Sequence, residues 1–181
     1  MNNLKDELRE RILILDGGMG TMIQQYNLKE EDYRGINFQY LKGQQKGNND
    51  LLTLTQPHII REIHQKYLEA GADIIETCSF NSQRISMSEY GLTDKVKELN
   101  AAAAQIARSI ADEYTQKNPK KPRFVVGSIG PTSKTCSISP DVNNPALRNI
   151  SFQDLYLAYK EQMETLVANG VDALLIETIF D

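Results

Sequence analysis

Two stretches decide the fold: GADIIET at residues 71–77 and GVDALLIET at residues 170–178. Each opens on a glycine that can stop a helix. Each then runs through short, apolar, β-favouring sequence and leaves on a glutamate and a threonine. Runs this short and this apolar suit parallel strands covered on both faces. The full strand candidates are ADIIETCSF (72–80) and VDALLIET (171–178), joined by RILILDGG (11–18) and RFVVGSIG (123–130).

Helical repeats fill the gaps between the last three. Thr55 can cap a helix with Pro57 in its first turn; Ile59, Ile63, Tyr67 and Ala70 mark one face, and Gly71 stops it. Thr93 can cap a second, whose face carries Val96, Leu99, Ala103, Ile106 and Ile110. A third starts near Ser151, with Asp154 as its capping-box partner, and ends at Gly170; Leu155, Tyr159, Met163, Leu166 and Val167 form its apolar side. The order is therefore β, long loop, α, β, α, β, α, β, which means an α/β fold with a parallel sheet.

Two parallel architectures compete. A doubly wound sheet calls for a Gly-rich phosphate turn after the first strand. DGGMGT at residues 16–21 lacks the G-x-G-x-x-G spacing, and no phosphate-binding Gly-Lys-Ser/Thr follows. The alternative is a (β/α)8 TIM barrel, typically about 250 residues, of which about four parallel strands are half. The reading is a single partial domain over residues 1–181: a polar tail or helix at 1–11, then the first half of a barrel at 12–181, cut after its fourth strand.

Composition bounds the function classes. The chain has 181 residues, 40% apolar and 24% charged, with a formal net charge of −4. No basic surface for nucleic acid and no membrane span of about 20 apolar residues is present, and the charged N-terminus does not read as a signal peptide, so a cytoplasmic location is expected. The two cysteines, Cys78 and Cys136, are expected as free thiols, with no zinc site formed within the chain. His58 and His64 lie six residues apart on one helix, which turns them about 240° from each other, so they read as surface or packing residues and not as a metal pair.

Ligands of parallel α/β folds sit at the C-terminal strand ends. Polar residues placed there are Asp16, Thr77 to Asn81, Ser128 to Thr132, Glu177 and Thr178. Acids at the first and fourth exits can share a pocket, as general acid and base or as a clamp for an ammonium group; alternatively Asp16 organises the Gly17-Gly18 turn and Glu177 caps a helix. Gly17 and Gly18 expose backbone amides suited to an anion. The long loop at 131–149 is either a functional barrel-mouth loop or a surface excursion.

Taken together, ILDGGMGT, RGINFQYLKG, GNNDLLTLTQPHIIREIHQKYLEAGADIIETCSFNS, GSIGPTSKTCSISPDV and LLIET resemble the homocysteine-binding module of cobalamin-dependent methionine synthases, from about residue 12 onward. In combination, GNNDLL, GADIIET-x-(S/T)-FNS and GPT…SISPDV favour that family over the betaine- and S-methylmethionine-dependent homocysteine methyltransferases, although a small polar residue is usual where Cys78 stands. The resemblance implies a barrel that binds homocysteine, with zinc and cobalamin serving the full-length enzyme and neither held by this stretch. It also implies pterin- and cobalamin-binding modules downstream. Asp16 and Gly17 match the pair beside the homocysteine backbone, Thr77, Ser79, Phe80 and Asn81 the segment along its carboxylate, and Glu177 the acid that receives its ammonium. A stretch ending at the fourth strand is expected to be inactive alone, and either to self-associate through its open strand edges or to aggregate. A rival reading is a non-catalytic amino-acid-binding fragment.

Overall fold

The computed structural model describes residues 3–181. Its centre is a parallel sheet of three strands in the order β1 (Ile74–Glu76), β2 (Phe124–Ile129) and β3 (Ala173–Ile176). Ile75 pairs with Val125 across the first interface, and Ser128 with Leu175 across the second. Every residue of β2 is buried, as its continuous apolar run requires of a central parallel strand.

The sheet has one regular strand fewer than the sequence suggests. Residues 11–18 contribute a single parallel bridge, Leu15 to Ile74, with Ile74 N–H donating to the Ile14 carbonyl at 3.1 Å and Asp16 N–H to the Ile74 carbonyl at 2.9 Å. Among the described residues no strand pairs with its outer side: Ile12 is 87% and Ile14 57% exposed. At the opposite edge, Ile176 of β3 is 63% exposed. Both sheet edges thus carry apolar side chains in contact with water.

Three helices flank the sheet where periodicity places them. α5 (Pro57–Ala70) begins on Pro57 and ends at Gly71, whose φ of +111° allows the reversal into β1. α7 (Val96–Lys117) is preceded by a 3₁₀ turn at Thr93–Lys95, so Thr93 starts the turn instead of capping the helix. α8 (Phe152–Ala168) has the expected box: Asp154 N–H donates to Ser151 Oγ and Ser151 N–H to the Asp154 carboxylate, each at 3.1 Å. Leu68, Ile75, Ala107, Ile110, Ala111 and Val125 form the seam between α5, α7 and the sheet.

The long loop before α5 is in fact folded. It carries α2 (Met19–Gln24), α3 (Glu30–Arg34) and α4 (Leu52–Thr55), after α1 (Leu4–Glu10). Ile23, Tyr33 and Leu52 join Ile59, Ile60 and Ile63 in one cluster, so tertiary burial holds helices too short to stand alone. α6 (Arg84–Glu89) lies between β1 and α7, capped by the Gln83 side chain.

The sequence echo has a physical meaning at the N-terminal strand ends. Asp73 accepts the Ile14 amide at 3.0 Å and pairs with Arg11; Asp172 accepts the Val125 amide at 2.7 Å and pairs with Arg108. In both units one aspartate ties a strand to its predecessor and is neutralised by an arginine. This end of the sheet is built for stability, and the other end is free for chemistry.

Candidate functional site

At the C-terminal strand ends three carboxyl groups come together: Asp16, Glu76 and Glu177. Both Asp16 oxygens accept the Glu76 backbone N–H at 3.2 Å. Strand register puts Glu76, Ser128 and Glu177 on one face of the sheet. The Ser128 hydroxyl donates to Glu177, and the Glu177 N–H continues the ladder onto the Ile129 carbonyl at 3.1 Å. Thr178, next along, holds a left-handed φ of +58°, an uncommon conformation for a β-branched residue and one that gathers at functional sites.

Burial first, and like charge second, perturbs two of the acids, Asp16 and Glu76. Burial, reinforced by the charges of Glu76 and Glu177 against the pull of the Glu76 amide, raises Asp16 to about 8. Burial, together with the charge of Glu177 and a hydrogen bond to it, raises Glu76 to about 7. None of the three is ion-paired among the described residues; the arginines of the two structural aspartates sit at the far end of the sheet. An acidic cluster without an ion-paired cation among the described residues is suited to a cationic group from outside.

The loop after β1 is fastened at each residue. Thr77 N–H donates to the Val126 carbonyl at 2.9 Å, and Thr77 Oγ1 accepts the Ser128 N–H at 3.0 Å. The hydroxyls of Thr77 and Ser79 lie 2.6 Å apart, and Ser79 Oγ donates to the Ser128 carbonyl. From α8, Gln162 donates to the Ser79 carbonyl at 2.7 Å. The Phe80 carbonyl accepts the Gly130 N–H at 3.0 Å. The Asn81 N–H and the Ser82 hydroxyl both donate to buried Asp50, which burial raises to about 6 against the lowering effect of those two bonds. With the Ser79 N–H donating to the Thr77 carbonyl at 2.9 Å, the amides of Thr77, Ser79 and Asn81 are all engaged within the chain. The exposed Gly17-Gly18 turn lies against α5, where Tyr67 donates to the Gly18 carbonyl at 3.3 Å.

Sequence reasoning placed Asp16 and Glu177 at one end of the sheet, and the structure brings them together. It missed Glu76, although the paired "ET" of the two echoed stretches was the available signal. It also missed Ser128 as the donor to Glu177, and Asp50, which lies within GNNDLL, as the anchor of the Asn81-Ser82 turn.

Both cysteines are free. Cys78 is buried, which pushes its thiol pKa well up, and its sulfur lies 3.6 Å from the Asn49 carbonyl; Cys136 sits in the loop after β2. His58 is exposed and His64 buried. Among the described residues no three of His, Cys, Asp and Glu are arranged to hold a metal ion. The residues present therefore do not fit the zinc that the sequence resemblance implies, and no chemical step can be assigned to it here. No helix among the described residues is long and apolar enough to cross a membrane.

A family model described as Homocysteine S-methyltransferase matches residues 13–181, nearly the whole chain. The chain belongs to the homocysteine S-methyltransferase family. The fold of this homocysteine S-methyltransferase domain is similar to solved structures of the homocysteine methyltransferase MmuM from Escherichia coli. With the metallated form it shares 23% identity at a TM-score of 0.73, covering 98% of this chain and 58% of that one. With the oxidised form the values are 24%, 0.70, 96% and 56%. With the apo form they are 23%, 0.63, 96% and 52%. The domain thus spans somewhat over half the length of these structures, and its three parallel strands and helices correspond to part of their barrel-like fold.

Proposed function

We propose that this domain supplies the amino-acid end of a homocysteine site. The observation that carries the proposal is the group of three acids at the C-terminal strand ends, free of internal cations, in a member of the homocysteine S-methyltransferase family. Glu177, oriented by the Ser128 hydroxyl, receives the substrate ammonium with Asp16 beside it. Gly17 allows close approach of the substrate backbone, and the wall from Thr77 to Asn81 borders the carboxylate. The part of the reaction performed by these residues is binding and orientation. They hold one end of homocysteine so that its thiol is presented elsewhere, where it must lose its proton to become the nucleophile in methyl transfer.

The methyl donor is a further proposal. GNNDLL and GPT…SISPDV support methylcobalamin, remethylated by methyltetrahydrofolate, with pterin- and cobalamin-binding modules in the same polypeptide. Betaine or S-methylmethionine fits the family and the fold equally well. Activity of the whole protein with each of the three donors in turn decides between them.

The substrate assignment is tested by Glu177→Gln in the whole protein. The change keeps the shape and removes one charged hydrogen bond, worth about 1.5–3 kcal/mol. Calorimetric titration should show homocysteine affinity reduced by about tenfold to a hundredfold, with the melting profile little changed. Unaltered affinity would rule Glu177 out as the ammonium acceptor.

A further inference from the structure

GNNDLL at residues 47–52 has no part in the substrate contacts just assigned. Its acid, Asp50, lies in a 3₁₀ turn over Asn49–Leu51 and is 3% exposed. The turn is itself fixed: Thr53 Oγ1 donates to the Asp50 carbonyl at 2.7 Å, and the Tyr33 hydroxyl to the Asn49 side chain at 3.0 Å. From there one carboxylate oxygen of Asp50 accepts two bonds, from the Asn81 N–H at 2.7 Å and from the Ser82 hydroxyl at 2.9 Å.

The peptide group between Phe80 and Asn81 is thereby held at both ends. Its N–H goes to Asp50, and its carbonyl accepts the Gly130 N–H at 3.0 Å. The peptide before it is held at one end only. Its carbonyl, that of Ser79, accepts Gln162 at 2.7 Å and the Ser82 N–H at 3.0 Å. From Ser79 to Ser82 the Phe80 N–H is the one amide without an acceptor among the described residues. Asp50 has the wrong charge to attract an anion, so what it can supply to an anionic ligand beside this turn is geometry.

We infer that Asp50 is a positioning residue: it fixes the Phe80–Asn81 peptide so that the free Phe80 N–H is presented to the carboxylate of the amino-acid substrate. The inference rests on the reading that the wall from Thr77 to Asn81 borders that carboxylate. Without Asp50 the buried Asn81 N–H loses its acceptor, the peptide is free to turn, and the neighbouring amide loses its aim.

The experiment is calorimetric titration of the whole protein with L-homocysteine and with aminopropanethiol, the same molecule without its carboxylate. Asp50→Ala should weaken L-homocysteine by about tenfold or more and leave aminopropanethiol unchanged. Asp50→Asn, whose carbonyl oxygen can accept the same two bonds, should bind L-homocysteine within several-fold of the parent. Should Asp50→Ala fail to fold, Ser82→Ala removes one of the two donors and should weaken L-homocysteine by about threefold, again without effect on aminopropanethiol. In turnover the same variants should raise KM for homocysteine with kcat little changed. Unchanged L-homocysteine affinity in the folded variant, equal losses for the two ligands, or a fall in kcat with KM unmoved would overturn the inference and leave Asp50 a merely structural role. A parent that binds aminopropanethiol as tightly as L-homocysteine, or binds neither, would overturn the reading of the wall itself, and the inference with it.

Discussion

Between pH 7.5 and pH 5, the stability of the chain relative to a His64→Leu variant should fall by about 2 kcal/mol, approaching about 3 kcal/mol by pH 4. His64 is fully buried on α5, and neither ring nitrogen has a hydrogen-bond partner among the described residues. Burial holds it neutral and lowers its pKa from 6.5 to about 4. In the unfolded chain the imidazole takes up a proton below about 6.5, and in the folded chain it resists until about 4. Stability present above pH 6.5 is therefore lost as the pH falls through that window. The raised acids act in the opposite sense: Asp16 and Glu76 burden the fold near neutrality and relieve it on acidification. Total stability against pH would mix the two effects, whereas the difference from His64→Leu isolates the histidine. At pH 7.5 the variant should equal or exceed the parent, because leucine fills similar space without two unsatisfied nitrogens. Urea titrations at the two pH values measure this; a difference independent of pH would mean that His64 finds a proton partner in the folded state.

The second large effect is expected at Gly130. A Cβ built there would lie 2.6 Å from the Phe80 carbonyl oxygen and 2.8 Å from its ring. The nearest obstacle is backbone, so no rotamer change removes the clash, and the Gly130 N–H to Phe80 hydrogen bond must open as well. Gly130→Ala should cost about 3 kcal/mol, the upper part of the range for overpacking a tight site. By displacing the wall from Thr77 to Asn81, it should also weaken homocysteine binding at a position that touches no substrate. Gly127 is a useful contrast. Its Cβ would meet the ends of Leu166 and Leu174 at 3.0 Å, flexible side chains that can move, so Gly127→Ala should cost less. Denaturant midpoints of the two variants test the ranking, and an equal or smaller loss for Gly130→Ala would contradict it.

The elements legible in the sequence were those whose signal is local. β2 and β3 are continuous apolar runs, α5 and α8 carry both a periodic face and a stop glycine, and the Ser151–Asp154 box stands in the chain as written. What was not legible depends on distant partners. RILILDGG has the composition of a strand, but a strand is defined by pairing, and this run finds a partner on one side and over one bridge only. α2, α3 and α4 are too short for a helical repeat to register, and exist because Ile23, Tyr33 and Leu52 are buried against α5. His58 and His64 differ only in which side of α5 meets the protein interior.

The candidate site divides in the same way. Asp16 and Glu177 could be placed because strand exits are fixed by where apolar runs end. The significance of Glu76 required the sheet register, which sets it on the same face as Glu177. Thr77 and Ser79 read as polar residues at a strand exit, and their hydroxyls are spent on each other and on β2. Polarity at a strand exit marks where a site is, but not which groups face the ligand and which hold the wall.

The central claim is that homocysteine is bound by its amino-acid end at these strand exits. A groove of about 900 Å³ lies elsewhere, between α6 and α8, lined by Arg84, Lys97, Leu157, Lys160 and Glu161 among others. Titration of isotopically labelled protein with L-homocysteine, followed by backbone and carboxyl NMR, distinguishes the two places. Saturable shifts at Asp16, Gly17, Phe80 and Glu177, with the α6–α8 groove silent, are the predicted result. Shifts confined to the groove, or Glu177 unmoved at saturation, would contradict the claim.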